Sequence, residues 1–270
     1  MSTRKRATEE DIFDLQIGLG ESSISIEEQY FFDIAGYLVL DDFLTPEQVA
    51  QARQMLAGRA APEQLELLNI IKEGGALEDA MALPRTMDLV QAFIWGQQYR
   101  LVGSRALFRA PGARSRLSRG GASDPRRYAR YRCFADGQFR CLMITCLIAL
   151  SDVAAGDGAF CAIPGSHKVN LPHPYEDVDL DQIPPLRALE LRAGSGVLFT
   201  ESLSHGFKTP AGQTHFWLAY QYGPSYMVDW PGCEPAAELL ERTAGDPVKS
   251  HLLLRPYYHP AGSQNKKKRM

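Results

Sequence analysis

The side chains able to transfer a proton or ligate a metal are unevenly placed along this 270-residue chain. An imidazole has an ordinary pKa of about 6.5, which suits proton transfer near neutral pH, and it is the commonest metal ligand in proteins. None of the first 166 residues is a histidine. Any histidine-based site must therefore draw on the six that follow: His167, His173, His205, His215, His251 and His259.

The five cysteines do not form a recognisable site. Their spacing contains no Cys-x-x-Cys pair and no Cys/His zinc pattern, so neither a disulfide framework nor a zinc ribbon is predicted. Four of them lie inside or beside apolar runs, where cysteine usually packs as a small hydrophobic residue. The five are Cys133, Cys141, Cys146, Cys161 and Cys233.

Arginine is concentrated in residues 105–140, which contain ten arginines and two acids, Asp124 and Asp136. Over the whole chain 29 Lys and Arg face 32 Asp and Glu, a net charge of −3. Such a local excess creates a positive region, which favours an anionic small-molecule ligand; solvated strand and loop faces are the simpler alternative. Few aromatic residues accompany the arginines, so a nucleic-acid partner is not expected.

Composition excludes several classes of protein. With 45% hydrophobic and 23% charged residues, the chain is typical of a globular protein and not of a disordered, collagen-like or coiled-coil one. The longest apolar run, residues 141–150, is too short to span a bilayer. The polar N-terminus lacks the apolar stretch of a signal peptide, so we expect a cytoplasmic protein without a membrane partner.

The patterning predicts helices first and strands afterwards. Residues 27–35, a segment beginning at Pro46 behind a Thr45 cap, and residues 85–95 have helical spacing. Short runs of β-forming residues separated by Gly, Pro and Asp clusters then predict a β-sandwich or barrel, and a final helix is predicted over 235–243. The predicted strands are 101–108, 139–150, 159–163, 186–191, 197–200 and 216–222. We expect a loose segment at 1–26, one domain over 27–262 and a basic tail at 263–270.

Four segments, taken in order, resemble the phytanoyl-CoA dioxygenase-like family of non-haem iron, 2-oxoglutarate enzymes. The most specific is Ile-Pro-Gly-Ser-His-Lys at 163–168. The others are residues 30–40 with the helix start at 44–48, residues 150–160, and residues 194–199 leading to Ser-His-Gly at 204–206. The resemblance implies a mainly β fold with flanking α-helices, a double-stranded β-helix of the jelly-roll, cupin-like type.

The same resemblance implies an iron site that this sequence does not complete. The family holds Fe(II) by two histidines and a carboxylate, the first two ligands coming as His-x-Asp or His-x-Glu. Arg119 and Gly121 stand at the matching positions; a guanidinium has no lone pair to donate and glycine has no carboxylate. His205 matches the second histidine and is the only retained ligand position. His215 stands near the place of the basic residue that clamps 2-oxoglutarate in the family.

The first hypothesis is therefore a small-molecule enzyme whose iron and 2-oxoglutarate chemistry has been lost, with no cofactor. The former pocket would carry out redox-neutral acid/base chemistry: cyclisation, isomerisation or elimination. In this scheme His205 transfers the proton, Arg119 stabilises developing negative charge and His215 assists or orients.

Two other functions stay open. One is a working Fe(II)/2-oxoglutarate oxygenase with atypical ligands, which would recruit Asp124 and a water. The other is a ligand-binding pseudoenzyme. His205 as a hydrogen-bonding residue at a strand end and Arg119 on a surface loop are the structural alternatives, while His167 is expected to brace its turn. If His215 faces the barrel interior, Trp217, Ala219 and Gln221 share that face and Tyr220 points away.

Overall fold

The computed structural model describes residues 24–59, 66–94, 99–118, 131–133, 139–169, 171, 173–175, 178–224 and 235–254. Arg119, Gly121 and Asp124 lie outside these residues, as does most of the predicted terminal segments 1–26 and 263–270.

The first helix lies within one residue of its predicted start and ends where predicted, and the second begins at the predicted Pro46. Helix α1 (Ile26–Ala35) starts with a capping box in which Ser25 Oγ accepts from Glu28 N at 3.1 Å, and Glu28 accepts from Ser25 N at 2.9 Å. It ends at Gly36, whose φ of +82° is the left-handed conformation that favours glycine at this position. Helix α2 (Pro46–Leu56) has the predicted Thr45 cap, completed by Gln48.

The remaining helices complete a layer on one side of the β core. Helix α3 (Gly75–Asp79) lies between 3₁₀ turns at Ile70–Glu73 and Ala80–Ala82, and α4 (Pro84–Phe93) follows. The C-terminal helix predicted over 235–243 is α5 (Ala237–Thr243), and a second helix that was not predicted, α6 (Pro247–Leu252), follows it. The second begins because Asp246 caps it and accepts from Val248 N and Lys249 N at 2.9 and 3.0 Å.

The strands form a large antiparallel sheet in the order β1-β9-β6-β11-β3-β2 and a small one in the order β10-β7-β8. The large sheet consists of β1 (Tyr37–Leu40), β2 (Glu66–Leu68), β3 (Tyr99–Arg109), β6 (Ile144–Ala149), β9 (Gly196–Thr200) and β11 (His215–Pro224). The small sheet consists of β7 (Phe160–Ala162), β8 (Arg187–Ala188) and β10 (His205–Phe207), while β4 (Tyr131–Cys133) pairs with β5 (Phe139–Cys141). The predicted double-stranded β-helix with flanking helices is confirmed.

The inner strands of the large sheet, β3, β6, β9 and β11, have one face toward the small sheet and one toward the helices. Trp217, Phe199 and Phe160 are buried in one hydrophobic cluster between the sheets. Tyr220 and Tyr222 point the other way, and their hydroxyls donate to the carbonyls of Leu77 and Met81 at 2.7 Å. Burial on both faces explains why these strands appear in the sequence as continuous apolar runs.

The described residues contain no helix that is long and apolar enough to cross a membrane.

Candidate functional site

A cavity of about 240 Å³ lies between the two sheets. Its apolar lining comes from Leu107, Leu147, Phe160, Phe199, Phe207 and Ala219. Its polar lining comes from Arg105, Ser118, Thr145, Glu201, His205 and Gln221. Ala219 and Gln221 lie in the cavity wall while Tyr220 packs on the helical side, as the alternation along β11 requires.

His205 lines this cavity in a defined tautomer. Its Nδ1 lies 2.8 Å from the carbonyl oxygen of Leu203. Because a carbonyl can only accept, Nδ1 carries the proton, and the neutral imidazole keeps its lone pair on Nε2. The ring packs against Phe160 and Phe199, with centroids 5.7 and 4.6 Å away. A single proton-accepting nitrogen is thus held in position within the cavity.

The backbone of His205 joins two segments that the sequence analysis connected. Its N–H and C=O exchange hydrogen bonds with those of Ser118, at 2.8 and 2.7 Å, and it pairs with Ala162 on β7. Ser118 is the last described residue before Arg119. The predicted role of Arg119 therefore stays a prediction. The residue that precedes it, Ser118, is hydrogen-bonded to His205.

The turn that contains His167 supports the start of β10. Ser166 Oγ accepts from the backbone N–H of Ser204 at 2.8 Å, next to His205. The buried His167 ring reaches the carbonyl of Asp33 through Nε2 at 3.1 Å, and Lys168 pairs with the Asp33 carboxylate at 2.9 Å. These contacts are those of a bracing turn and lie outside the cavity lining.

His215 lies in a different place from His205. Its ring is 1% exposed, with Nδ1 3.1 Å from Ser151 Oγ and Nε2 3.5 Å from Asp157 Oδ2. It lines a second, open cavity of about 610 Å³ together with Asp157. Backbone N–H donation from Ala211 is the main cause that lowers the pKa of Asp157, and His215 adds to it. The two predicted catalytic histidines therefore do not share one of these cavities.

The structure adds a polar network that the sequence analysis missed. Glu201 accepts from Thr145 Oγ1 and, at 3.1 Å, from Gln221 Nε2. Gln221 in turn accepts from Arg105 Nη2 at 2.8 Å, and Arg105 also pairs with Glu66 at 3.2 Å. The alternation of side chains along a strand could have predicted part of this network, because Gln221 and Arg105 both fall at positions that face the interior. Glu201 directly follows a strand, where an acid is usually solvated.

Arg109 is the second residue that was missed. It lies opposite His215 in the pairing of β3 with β11, is 8% exposed, and its guanidinium carbon is 5.4 Å from the Phe207 ring centre. Its Nη2 donates to the carbonyl of Ala113 at 2.6 Å, and burial lowers its pKa. A basic side chain, that of Arg109, does lie at the end of the barrel where β11 begins, but it belongs to β3, the strand that pairs with β11.

The described donors do not fit a two-histidine, one-carboxylate iron site. Within the described ranges, no group of three His, Cys, Asp or Glu side chains is close enough to hold a metal ion. Residues 119–130 contain no histidine, and Asp124 is their single acid. His205 supplies one suitable donor, Nε2, and the sequence contains no second one at the family's upstream position.

Comparison with solved structures finds the same fold in proteins that include HygX, SnoK and SnoN. HygX from Streptomyces hygroscopicus, solved with nickel and 2-oxoglutarate bound, has 24% identity and a TM-score of 0.69 over 80% of this chain and 94% of its own. SnoK, a non-haem α-ketoglutarate-dependent carbocyclase from nogalamycin biosynthesis, has 20% identity and a TM-score of 0.57 over 78% and 89%. SnoN, an epimerase of the same biosynthesis solved with Fe³⁺, α-ketoglutarate and nogalamycin RO, has 16% identity and a TM-score of 0.55 over 77% and 91%.

A search of curated protein sequences finds no significant match. The profile described as phytanoyl-CoA dioxygenase (PhyH) matches residues 32–209, about two thirds of the sequence. The matched range spans strands β1 to β10, the Pro-Gly-Ser-His-Lys turn and His205, and it ends before β11. The chain belongs to the phytanoyl-CoA dioxygenase family, a family of enzymes.

Proposed function

We propose that the chain is a small-molecule enzyme that performs redox-neutral acid/base chemistry in the cavity between its sheets, without iron or 2-oxoglutarate. The observation that carries the proposal is His205, a fixed tautomer whose Nε2 is the proton acceptor in this cavity. In the sequence, Arg119 and Gly121 stand where the resemblance places the family's other two ligands. Cyclisation, isomerisation and elimination all fit this chemistry.

The proposed step moves a proton and leaves the oxidation state of the substrate unchanged. Nε2 accepts a proton from the substrate, since Nδ1–H is held by Leu203, and the imidazolium returns a proton at a second substrate atom. The electron pair freed at the first atom shifts within the substrate, so no oxidant is consumed. Arg119 would stabilise the negative charge that develops. His215 would act as a positioning residue, through β11.

The structural neighbours support a small-molecule substrate and a range of outcomes beyond hydroxylation. HygX has been solved with hygromycin B and SnoN with nogalamycin RO. SnoK is described as a carbocyclase and SnoN as an epimerase. Both are also described as α-ketoglutarate-dependent. They therefore support the proposed reaction types, such as cyclisation and isomerisation, but they do not support the proposed loss of the metal.

Metal analysis of the purified protein tests the proposal. We expect iron well below one equivalent with or without added Fe(II), and no succinate when 2-oxoglutarate is supplied. Stoichiometric iron with formation of succinate would contradict it. His205→Gln, which removes the proton-accepting nitrogen, then serves as the control in a screen for metal-independent turnover.

A working Fe(II)/2-oxoglutarate oxygenase is the second candidate, and Arg109 favours it. In such an enzyme a basic residue holds the distal carboxylate of 2-oxoglutarate, and Arg109 is a buried guanidinium at the end of the barrel where β11 begins. His205, with Nδ1 bonded to a carbonyl, has the arrangement common in histidine ligands. This candidate predicts stoichiometric iron, which the first candidate excludes. A pseudoenzyme would bind a small molecule but would show neither stoichiometric iron nor metal-independent turnover.

A further inference from the structure

One end of the cavity between the sheets is built around a buried carboxylate. Glu201 is 7% exposed. One oxygen, Oε1, accepts from both Thr145 Oγ1 and Gln221 Nε2. The other oxygen, Oε2, accepts no hydrogen bond from any residue that the structure describes. The carboxylate is therefore fixed through one oxygen and has the other available in a cavity.

Neighbouring groups set the orientation of this carboxylate without neutralising it. Arg105 donates to the amide oxygen of Gln221, which turns the amide NH₂ toward Glu201. The guanidinium itself pairs with Glu66, at 3.2 Å. Among the described side chains, no Lys, Arg or His nitrogen lies within 4 Å of the Glu201 oxygens. The positive charge of Arg105, which orients the Gln221 amide, is thus shared with a different acid.

A buried carboxylate without a cation is costly, because burial removes its hydration and nothing of opposite charge replaces it. Buried charges in proteins are normally paired with an opposite charge or bound to a ligand such as a metal ion. A cationic hydrogen-bond donor would pair best with this carboxylate, because charge-assisted hydrogen bonds are about twice as strong as neutral ones. The aromatic rings of Phe160, Phe199 and Phe207 line the same cavity, and aromatic faces also attract cations and apolar groups.

We propose that Glu201 binds the ammonium group of an amine substrate, with the hydrocarbon part of that substrate against the aromatic wall beside His205. The inference rests on the proposed function in one respect, that this cavity is the substrate site. It differs from the expectation of an anionic ligand, which came from the arginine count. Among the described arginines of residues 105–140, Arg105 alone lines this cavity, and it is paired.

Three small aromatic probes of similar shape test which charge the ligand carries: benzylamine is cationic, benzyl alcohol is neutral and benzoate is anionic. Binding would be measured by the methyl NMR shifts of Leu107 and Leu147, which line the cavity, without iron or 2-oxoglutarate present. We expect the wild-type protein to bind benzylamine about tenfold more tightly than benzyl alcohol, as one charge-assisted hydrogen bond provides. Benzoate should leave these methyl shifts unchanged.

Glu201→Gln keeps the shape and removes the charge, so it should lose the preference for benzylamine. Glu190→Gln is the matched control, since Glu190 is exposed and lines the other cavity. Benzoate binding as tightly as benzylamine to the wild type would overturn the inference, and that result needs no variant. Retention of the preference in folded Glu201→Gln would also overturn it. Finding stoichiometric iron and succinate formation would contradict the proposed function, but it would not change the expected preference for benzylamine.

Discussion

The backbone of Gly158 packs closely against the ring of His215. Gly158 has a φ of +70°, and a Cβ placed on it would lie 2.6 Å from His215 Cδ2. That separation is far shorter than a van der Waals contact. The His215 ring is fixed on its other side by Ser151, so it has little room to move. Glycine at 158 is therefore required for two separate reasons, backbone conformation and space.

Substituting Gly158 and Gly112 by alanine separates these two reasons. Gly112→Ala introduces a Cβ at a similar φ, +79°, with no atom within 4 Å, so it should cost about 1–2 kcal/mol for the left-handed backbone alone. Gly158→Ala should cost a further ~1–3 kcal/mol for overpacking against His215. Urea unfolding of both variants measures the difference. Equal losses of unfolding free energy would show that the His215 ring moves aside.

Individual site residues differ in how well the sequence predicts them. His205 could be found because its motif, Ser-His-Gly after a Gly-rich turn, is local in the chain. Glu201 could not, since its partners Thr145 and Gln221 lie 56 and 20 positions away and meet it only through the pairing of β6, β9 and β11. Arg109 was visible as one of ten arginines, but nothing local distinguished the buried one from the solvated ones.

At the scale of elements, Asp157 joins two loops at the end of the barrel beside His215. Its Oδ1 accepts from Ala211 N at 2.6 Å, which ties the turn at 156–158 to the loop before β11. That backbone donation is the main reason why the pKa of Asp157 is lowered. A carboxyl with a lowered folded-state pKa stabilises the protein above its unfolded pKa, about 3.9, and loses this contribution as the pH falls through the folded value.

Asp157→Asn should therefore flatten the acid limb of the stability curve. The amide oxygen can still accept from Ala211, but it has no charge to protonate, so the variant should be less stable than wild type at pH 7. The two should converge once the pH has fallen below the lowered folded-state pKa of Asp157, where both side chains are neutral. Unfolding free energies from urea titrations between pH 2 and 7 measure this. Parallel curves across that range would exclude Asp157 as a source of the acid sensitivity.

Elements with local start and stop signals were predicted closely, and elements set by tertiary contacts were not. The capping boxes at Ser25 and Thr45 and the glycine at 36 fix α1 and α2 through contacts within four residues. The apolar run at 139–150 was predicted as one strand, whereas the structure has β5 and β6 with different partners. Its hydrophobicity is continuous because both faces of β6 are buried, which hides the break from the sequence.

The whole molecule is a sandwich whose interior is aromatic near the start of β11 and polar farther along the strands. The aromatic rings of Trp217 and Phe207 pack 5.3 Å apart near the start of β11. The polar network of Glu201 and Gln221 lies farther along the strands, on the same side of the large sheet. Family membership predicts the frame around this interior. The donors within it decide whether folding stability responds to a metal.

Restoring the family's upstream ligands should make the stability of the entire fold metal-dependent. Arg119→His with Gly121→Asp supplies the missing His-x-Asp to accompany His205. A ligand that binds only the folded state at 100 times its Kd adds about 2.7 kcal/mol, which is roughly 5–10 °C in Tm for a chain of this size. We expect Fe(II) with 2-oxoglutarate to raise the Tm of this variant by that amount under anaerobic conditions and to leave wild type unchanged. Arg126→His places an imidazole elsewhere in the same segment as the control. An equal rise in wild type would mean that the native chain already completes an iron site with other donors, and the acid/base proposal would then fail.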